Sequence, residues 1–329
     1  MDVLSEVLRA VRLTGAVVFD VEARSPWAAA TPDVATIKRM VMPDSEHVMV
    51  FHVLTHGSVW CELRDGSTPP LRLNAGDLVV LPMGDPHMVS SVPGMRAEPN
   101  LANYYRPSDR ALPLPFVLNE GGGPERCHFV CGYLGCDAQP FNPLLEGLPR
   151  IFHASVSTAT RGWLMSLIRV AVEETMHAGS GGETMLAKLA ELMFVEVVRK
   201  YVDGLPKESR GWLSGLRDHH IGVALRLIHG RPAEAWTLDA LARSCGMSRS
   251  AFADRFTYVV GIPPMQYLVR WRLQLAARFL ESGAVGISIA AARVGYGSEA
   301  AFNRAFKRFV GVPPGAWRKS RAAGLAALP

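Results

Sequence analysis

The period of the hydrophobic positions changes along the chain. Between about residues 15 and 135, short apolar runs alternate with turn-forming clusters of Gly, Pro, Asn and Asp. Two of these runs, 48–54 and 78–81, are almost continuously apolar, which is typical of strands buried on both faces. Strands at this spacing predict a β-sandwich or barrel.

From about residue 160 the apolar positions recur every three or four residues, which indicates amphipathic helices. A Gly-Ser-Gly-Gly sequence at 179–182 splits this segment, so 160–202 predicts a helical hairpin. The apolar face of its second helix contains Leu186, Leu189, Met193, Val197 and Tyr201. We expect this face either to join two copies of the chain in a homodimer or to pack on the chain's own barrel.

The last third of the chain contains a repeat. Eight residues of 248–264 recur unchanged in 298–314, at an offset of 50 residues. Ala240, Ala242 and Arg243 recur at the same offset. The sequence therefore predicts one structural unit present twice. The sequence of each copy predicts a short helix, a tight turn and a second helix, and two Phe residues form the buried stripe of the second helix.

A helix, a tight turn and a second helix form the helix-turn-helix, whose second helix enters the major groove of DNA. With the Phe stripes buried, the other faces of the second helices are predicted to contact double-stranded DNA. Arg249, Asn303 and Arg304 have the chemistry to read base edges, and the other basic residues of the set suit phosphates. The predicted contact residues are Ser248, Arg249, Ser250, Asp254, Arg255, Ser298, Glu299, Asn303, Arg304, Lys307 and Arg308.

Charge is divided unequally along the 329 residues. Residues 1–217 carry a net charge of −4, whereas residues 218–329 carry 15 Lys and Arg against 6 Asp and Glu, a net charge of +9. This distribution favours a regulator in which one domain senses a signal and the other binds a polyanion. The predicted parts are a sensor domain at 1–205, a linker at 206–217, a DNA-binding domain at 218–320 and a tail at 321–329.

Composition also narrows the class of protein. No apolar run reaches the ~18 residues of a membrane span, and the acidic N-terminus does not resemble a signal peptide, so we expect a cytoplasmic protein without a membrane partner. The odd count of five cysteines argues against a disulfide scaffold.

The segment 237–319 resembles the DNA-binding domain of AraC/XylS-type transcription regulators. The residues that carry the resemblance are Ala-Arg-Ser-Cys-Gly-Met-Ser at 242–248, the Phe pairs, Gly-Ile-Pro-Pro-Met-Gln-Tyr-Leu at 261–268, and Gly-Tyr-Gly-Ser at 295–298 with Gly-Val-Pro-Pro at 311–314. The resemblance implies promoter binding, contact with RNA polymerase and activation of transcription.

Residues from about 10 to 155 resemble the cupin-type ligand-binding domain at the N-terminus of one branch of that family. The segments 51–60, 73–87 and 131–149 carry this resemblance. The expected fold is therefore α+β, with a cupin-like β-barrel and helical hairpin followed by an all-α domain with two helix-turn-helix units. A small barrel can hold one small-molecule effector. The predicted pocket residues are His52, Leu54, Trp60 and His87.

Three cysteines and one histidine cluster within ten residues: Cys127, His128, Cys131 and Cys136. A turn expected at 132–135 would fold these side chains together, and such thiolate and imidazole ligands suit Zn²⁺. A second hypothesis is an oxidant-sensing thiol pair, Cys131 with Cys136 or with Cys61. The third interpretation is that the cysteines are small buried hydrophobic residues.

Three functions remain open at this point. The first is a DNA-binding regulator, in the family's manner an activator, controlled by a small effector in the barrel. The second is a zinc- or oxidant-responsive switch that uses the cysteine cluster. The third is a metal-dependent cupin enzyme with a helical targeting domain, against which stand the missing His-x-His pair and the lack of a suitably spaced carboxylate.

Overall fold

A computed structural model describes residues 2–105, 114–118, 121–155, 180–206, 208–283 and 285–326, together with 166, 170 and 173. The chain divides into two compact units. The sheet unit comprises Leu13–Cys136 and Pro149–Asp203. The helical unit comprises Met1–Arg12, Asp137–Leu148 and Gly204–Pro329. This division differs from a single boundary near residue 205, because two segments from the first half of the chain belong to the helical unit.

The described residues of the sheet unit form two sheets. The strands are β1 (Thr14–Arg24), β2 (Ala28–Thr31), β3 (His47–His56), β4 (Ser58–Leu63), β5 (Leu71–Asn74), β6 (Asp77–Leu81), β7 (His87–Ser90), β8 (Leu114–Leu118), β9 (Arg126–Cys136) and β10 (Phe152–Ser155). One sheet has the order β10-β6-β3-β9-β1-β8 and the other β2-β7-β4-β5. Neighbouring strands are antiparallel, except that β8 runs parallel to β1.

Side chains from both sheets share one apolar core. Val21 of β1, Val50 of β3, Cys61 of β4 and Val89 of β7 are all buried in it. The sheets therefore enclose the core between them, as expected for a sandwich or barrel whose strands alternate inward and outward side chains. A short helix, α2 (Val34–Val41), contributes the fully buried Ile37 to the same core.

The second helix of the expected hairpin is present as α4 (Gly182–Gly204). Leu186, Leu189 and Met193 are buried, and a Cβ added at Gly15 would lie 2.4 Å from the carbonyl oxygen of Ala187. The helix thus packs closely on β1, and its apolar face is buried within the chain rather than left for a second copy. The first helix of the expected hairpin, at about 160–178, lies outside the described residues except at three positions.

The helical unit begins with α1 (Val3–Ala10) and α3 (Pro143–Gly147). It continues with α5 (Trp212–Arg217), α6 (Ile221–Gly230), α7 (Leu238–Ser244), α8 (Arg249–Val260), α9 (Pro264–Glu281), α10 (Ile287–Arg293), α11 (Glu299–Val310) and α12 (Pro314–Ala326). The predicted linker at 206–217 is wrong from Trp212 onwards. Trp212 and Leu213 are buried, and the Trp212 indole N–H donates a hydrogen bond to the Tyr267 hydroxyl at 2.6 Å.

The two segments from the first half of the chain are bound to α9 by polar contacts. The Gln274 side chain accepts a hydrogen bond from the Phe141 amide at 2.9 Å. Arg12 makes a two-point contact with Asp137, at 2.7 and 2.8 Å, and its Nη2 atom also lies 2.9 Å from Glu281 at the end of α9. Such bidentate arginine–carboxylate pairs are among the stronger hydrogen-bonded contacts in proteins.

His229 makes the helical unit sensitive to acid. The Tyr267 hydroxyl bonds His229 Nε2 at 2.7 Å, and burial lowers the pKa of His229 to about 3. The unfolded chain binds this proton near pH 6.5 and the folded chain only near pH 3, so the stabilisation is complete above pH ~6.5 and is lost as the pH falls. We expect His229→Gln to reduce the pH dependence of the free energy of unfolding between pH 7.5 and 5, by up to ~1.4 kcal/mol per pH unit. The measurement is urea unfolding at a series of pH values. An unchanged pH dependence in this variant would contradict the assignment.

Candidate nucleic-acid interface and barrel cavity

The first helix-turn-helix consists of α7 and α8. The Ser248 hydroxyl accepts a hydrogen bond from the Ala251 amide at 3.3 Å and so caps α8. Phe252 and Phe256 are fully buried, and α8 ends at Gly261 in the left-handed conformation with φ 91°. The buried Phe pair fixes which face of α8 points to solvent.

The second helix-turn-helix, α10 and α11, repeats these features. Ser298 caps α11 through the Ala301 amide at 3.2 Å, Phe302 and Phe306 are fully buried, and Gly311 ends the helix with φ 89°. The linking helix α9 has 18 residues, so at 1.5 Å per residue it is ~27 Å long. The duplication expected from the sequence is thus present as two helix-turn-helix units joined by one helix.

The two copies do not share a single offset. The recognition helices α8 and α11 differ by 50 residues, whereas α7 and α10 differ by 49. Ala242 is buried, and its structural counterpart is the buried Ala291 rather than Ala292, which is exposed. The match of Ala242 with Ala292 is therefore wrong, because the turn of the second copy is one residue longer.

In the first copy the two arginines of α8 have acidic partners. Arg255 Nη2 lies 2.7 Å from Asp218, and Arg249 Nε lies 3.7 Å from Asp239. Ser250 and Asp254 are exposed, so the outer face of α8 carries a further negative charge. Arg255 is thus paired with a carboxylate of its own chain, and its contact with a DNA phosphate stays a prediction.

The second copy presents a more positive surface. Arg304, Lys307 and Arg308 are exposed, and none of them forms an ion pair with another described residue. Glu299, the acidic residue of this helix, is exposed in its first turn. Asn303 is half-buried, and its Oδ1 has no hydrogen-bond partner among the described residues. Asn303, Arg304 and Lys307 line one open groove of about 340 Å³.

The core of the sheet unit contains a cavity of about 320 Å³. Its apolar wall residues include Phe19, Val21, Val89, Phe116, Leu118 and Phe129. Its polar lining residues are Thr31, His52, Glu98, Asn100, Asn103, Tyr104, Cys131 and Tyr133. Of these, Glu98, Asn100 and Asn103 are the more exposed, and His52, Cys131 and Tyr133 are buried. A largely apolar cavity with a few polar groups is the usual form of a small-molecule site.

The predicted pocket residues have different positions. His52 lines the cavity. His87 lies behind it, with its Nε2 atom 2.7 Å from His52 Nε2. Leu54 is buried in the core but does not line the cavity. Trp60 is half-buried beside Arg72, on the face of β4 opposite Val59 and Cys61. The assignment of Trp60 to the pocket is therefore wrong, because inward side chains alternate along the strand and Trp60 has the outward parity.

A hydrogen-bonded chain fixes the proton positions of the two histidines. The Asp85 carbonyl can only accept, so His87 Nδ1 donates to it at 2.8 Å. His87 Nε2 then accepts from His52 Nε2–H, and His52 Nδ1 accepts from the Cys131 thiol at 2.8 Å. Burial lowers the pKa of His52 well below its usual value and that of His87 to about 4. Both rings are neutral at pH 7.

The cysteine cluster does not come together. Cys127, Cys131 and Cys136 all lie on β9, which continues through the expected turn at 132–135 as regular strand. At ~3.3 Å per residue, Cys131 and Cys136 are ~16 Å apart along the strand and on opposite faces, too far for a disulfide or a shared Zn²⁺ ion. His128 instead bonds Asp20 through Nε2 at 2.6 Å.

The remaining thiol hypothesis pairs Cys131 with Cys61. Burial raises the pKa of Cys61 to about 12 and that of Cys131 well above its usual value, which favours the unreactive thiol form. In the part of the chain that the structure describes, no group of three or more His, Cys, Asp or Glu side chains could hold a metal ion. Nor does any helix there have the length and apolar character needed to cross a membrane.

Two helix-turn-helix units with solvent-facing recognition helices define a DNA-binding protein. Comparison with known proteins extends this assignment. The family described as Cupin matches residues 2–203, and that described as Helix-turn-helix domain matches residues 241–320.

A protein of Streptomyces lividans described as AraC-like transcription regulator is 32% identical over 320 residues, 97% of this chain and 98% of the relative. The HTH-type transcriptional regulator AlkR of Acinetobacter baylyi is 29% identical over 94% of this chain and 96% of its own. Among solved structures, the DNA-binding domain of AdpA in complex with a target DNA is 30% identical over 32% of this chain and 95% of that one, with a TM-score of 0.31.

The chain belongs to the AraC-like transcription regulators. It is a DNA-binding regulator of transcription and not an enzyme, as its relatives are regulators with the same helix-turn-helix domain. The expected fold, a cupin-type N-terminal domain followed by a helical helix-turn-helix domain, is confirmed.

Proposed function

We propose that α11 makes the dominant contact with promoter DNA and that α8 makes a weaker one. The observation that carries this proposal is the charge of the two outer faces. Arg304, Lys307 and Arg308 of α11 are exposed without a described acidic partner, whereas Arg249 and Arg255 of α8 have one each. Lys and Arg side chains without an acidic partner displace the counterions that are condensed on the DNA phosphates. The release of these counterions provides most of the salt-dependent affinity.

Within α11, the side chains differ in the chemistry they offer. Asn303 and Arg304 can make bidentate contacts with base edges, an amide with adenine and a guanidinium with guanine. The Asn303 Oδ1 atom is buried without a described hydrogen-bond partner, so a bidentate contact with adenine requires the side chain to rotate outward. Lys307 and Arg308, in the last turns of the helix, suit phosphates. Ser248 and Ser298 act as helix caps that present backbone N–H groups to the DNA backbone.

The proposed signal is a small molecule bound in the cavity of the sheet unit. The support is the cavity itself, which has apolar walls and neutral polar groups at its inner end. Effector binding would change the affinity of the helix-turn-helix units for the promoter. We propose that the protein contacts RNA polymerase and that activation of transcription is the outcome, which is what the family resemblance implies.

A homodimer is the proposed assembly. The apolar face expected to form it is buried within the chain, so the proposal shifts to the outer side of α4. Met185 and Leu192, seven residues apart on this helix, are each almost half exposed. Residues at this spacing lie on one side of a helix, as in paired helices.

Two substitutions in α11 test the docking. We expect Lys307→Ala to weaken binding to all duplexes and to reduce the slope of log affinity against log salt by about 1, because one phosphate contact is lost. Arg304→Ala should cost ~1–3 kcal/mol and relax the preference at one base position. The measurement is fluorescence anisotropy over a salt series with a duplex selected from a random library.

Lys188→Ala is the matched control, since Lys188 is an exposed lysine of α4 in the sheet unit. It should leave both the affinity and the salt slope unchanged. A Lys307→Ala variant with the wild-type slope would exclude α11 as the main phosphate-binding element. A larger slope change from Arg255→Ala than from Lys307→Ala would assign that role to α8.

A further inference from the structure

The lining of the cavity restricts the charge of what it can hold. Among the described lining residues there is no Lys or Arg, and Glu98 is the only carboxylate. Glu98 lies in an exposed segment, where its side chain is 3.2 Å from Arg64. An ionised ligand in the inner part would therefore lose its hydration without gaining a counter-charge, which is costly in an apolar site.

The inner end of the cavity offers neutral hydrogen-bonding groups. The chain from Cys131 through His52 and His87 to the Asp85 carbonyl is complete and uncharged. The thiol is the weakest donor in this chain, so a ligand hydroxyl can replace it as the donor to His52 Nδ1. On the same cavity, the Tyr104 hydroxyl bonds the side chains of Tyr133 and Thr31 and is a second neutral polar point.

The rest of the surface is suited to a small apolar body. Phe19, Phe116 and Phe129 present aromatic rings, and Phe19 and Phe116 are 6.1 Å apart between centroids. A volume of about 320 Å³ lies at the lower end of the range for ligand pockets, which is ~300–1,000 Å³. The cavity therefore suits one or two rings rather than a long chain or a sugar with many hydroxyls, whose polar groups would remain unpaired.

We infer that the effector of this regulator is an uncharged, mainly apolar molecule of one or two rings with a single hydroxyl group that donates a hydrogen bond to His52 Nδ1 at the His52–Cys131 end of the cavity. This inference rests on the proposed effector function. It specifies the ligand class within it.

The test uses the purified full chain and probes that share a 4-ethylphenyl group and differ in the head group. These are 4-ethylphenol, 4-ethylbenzoate and 4-ethylbenzylamine, with the matching naphthalene series, each titrated at pH 7 by calorimetry. We expect the neutral probes to bind about ten-fold or more tightly than the charged ones. Equal or tighter binding of the carboxylates or amines, or no binding of any neutral probe, would overturn the inference.

A charge introduced into the wall gives a second readout. Phe116→Lys places a cation on the cavity, and Phe116 is half-buried, so the new ammonium can be accommodated near solvent. We expect it to increase carboxylate affinity relative to the phenol by about ten-fold. The neighbouring Val117→Lys is the control, because Val117 is 58% exposed and does not line the cavity. If Phe116→Lys kept the wild-type ratio of phenol affinity to carboxylate affinity, binding in this cavity would be contradicted.

DNA binding separates the two proposals. If the tightest neutral probe changes the affinity of the full chain for its selected duplex, both the effector function and the ligand class are supported. If it binds without changing DNA affinity, the effector function fails and the ligand class stands. If a carboxylate probe binds more tightly and changes DNA affinity, the ligand class fails and the effector function stands.

Discussion

Phe302→Ala is expected to destabilise the second helix-turn-helix by about 3–5 kcal/mol, because truncating a buried Phe loses its transfer free energy and leaves a cavity. Phe302 is fully buried in a core that includes Leu273, Ala290 and Trp317. Its ring lies 5.4 Å from that of Tyr296 and 5.5 Å from that of Phe306, so both contacts are also lost. A typical domain is stable by only ~5–15 kcal/mol, so this loss approaches global unfolding of the unit.

Hydrogen–deuterium exchange of the full chain measures this effect locally, which matters because two compact units need not unfold in one step. The amides of α11 should lose most of their protection in Phe302→Ala, and DNA affinity should fall with them. Tyr258→Ala is the aromatic control, since Tyr258 is 57% exposed, and its cost should stay below about 1 kcal/mol. Wild-type protection of α11 in Phe302→Ala would show that its packing is not as described.

Gly295→Ala is the second substitution with a large expected effect. Gly295 has φ +85°, and an added Cβ would lie 2.5 Å from the carbonyl oxygen and 2.8 Å from the Cα of Ala233. The left-handed strain and the backbone overlap together should cost roughly 2–5 kcal/mol. We expect a lower thermal midpoint of the helical unit and weaker DNA binding.

Gly246 is the matched control within the same protein. It occupies the corresponding turn of the first copy with φ +67°, but an added Cβ would meet nothing within 4 Å. Gly246→Ala should therefore show the conformational strain alone, roughly 1–2 kcal/mol. If the two variants lost equal stability in differential scanning calorimetry, the close approach at Ala233 would not be the cause.

The helix-turn-helix units could be predicted from sequence because their signals are local. The Phe pairs, the capping serines and the terminal glycines all lie within one helix length of each other. The 49-residue offset between the first helices of the two copies was not predicted, because alanines 50 residues apart are identical in sequence. In the structure the longer turn at 294–298 places the first helix of the second copy one residue earlier. Burial, which the sequence does not state, distinguishes Ala291 from Ala292.

Glycines misled the interpretation of β9 for a similar reason. Gly132 and Gly135 suggested a turn, but both lie in a regular strand. A Cβ at Gly132 would be 2.3 Å from the Phe51 ring, and one at Gly135 would be 2.0 Å from the Ser45 hydroxyl. These residues permit close side-chain packing rather than a bend. The zinc and disulfide hypotheses that depended on the turn fail with it.

The cavity was only partly predictable. His52 was found because it lies in an apolar run, but Tyr104 and Phe116 come from segments between or beyond the recognised strands. Their approach to the cavity depends on long-range packing, which no short sequence pattern records. Trp60 was wrongly assigned to the pocket, because the pairing of β4 with its neighbouring strands decides which alternate residues point inward.

The helical unit is assembled from three separate stretches of polypeptide, with consequences for anyone who wishes to isolate its DNA-reading half. A fragment that starts at residue 206 would lack Arg12, Asp137 and Phe141, so Gln274 would lose its amide donor and Glu281 would lose its ion pair with Arg12. Excision at the apparent domain border would thus remove part of the subunit's own framework. Affinities measured on such a truncated piece would describe an incomplete molecule.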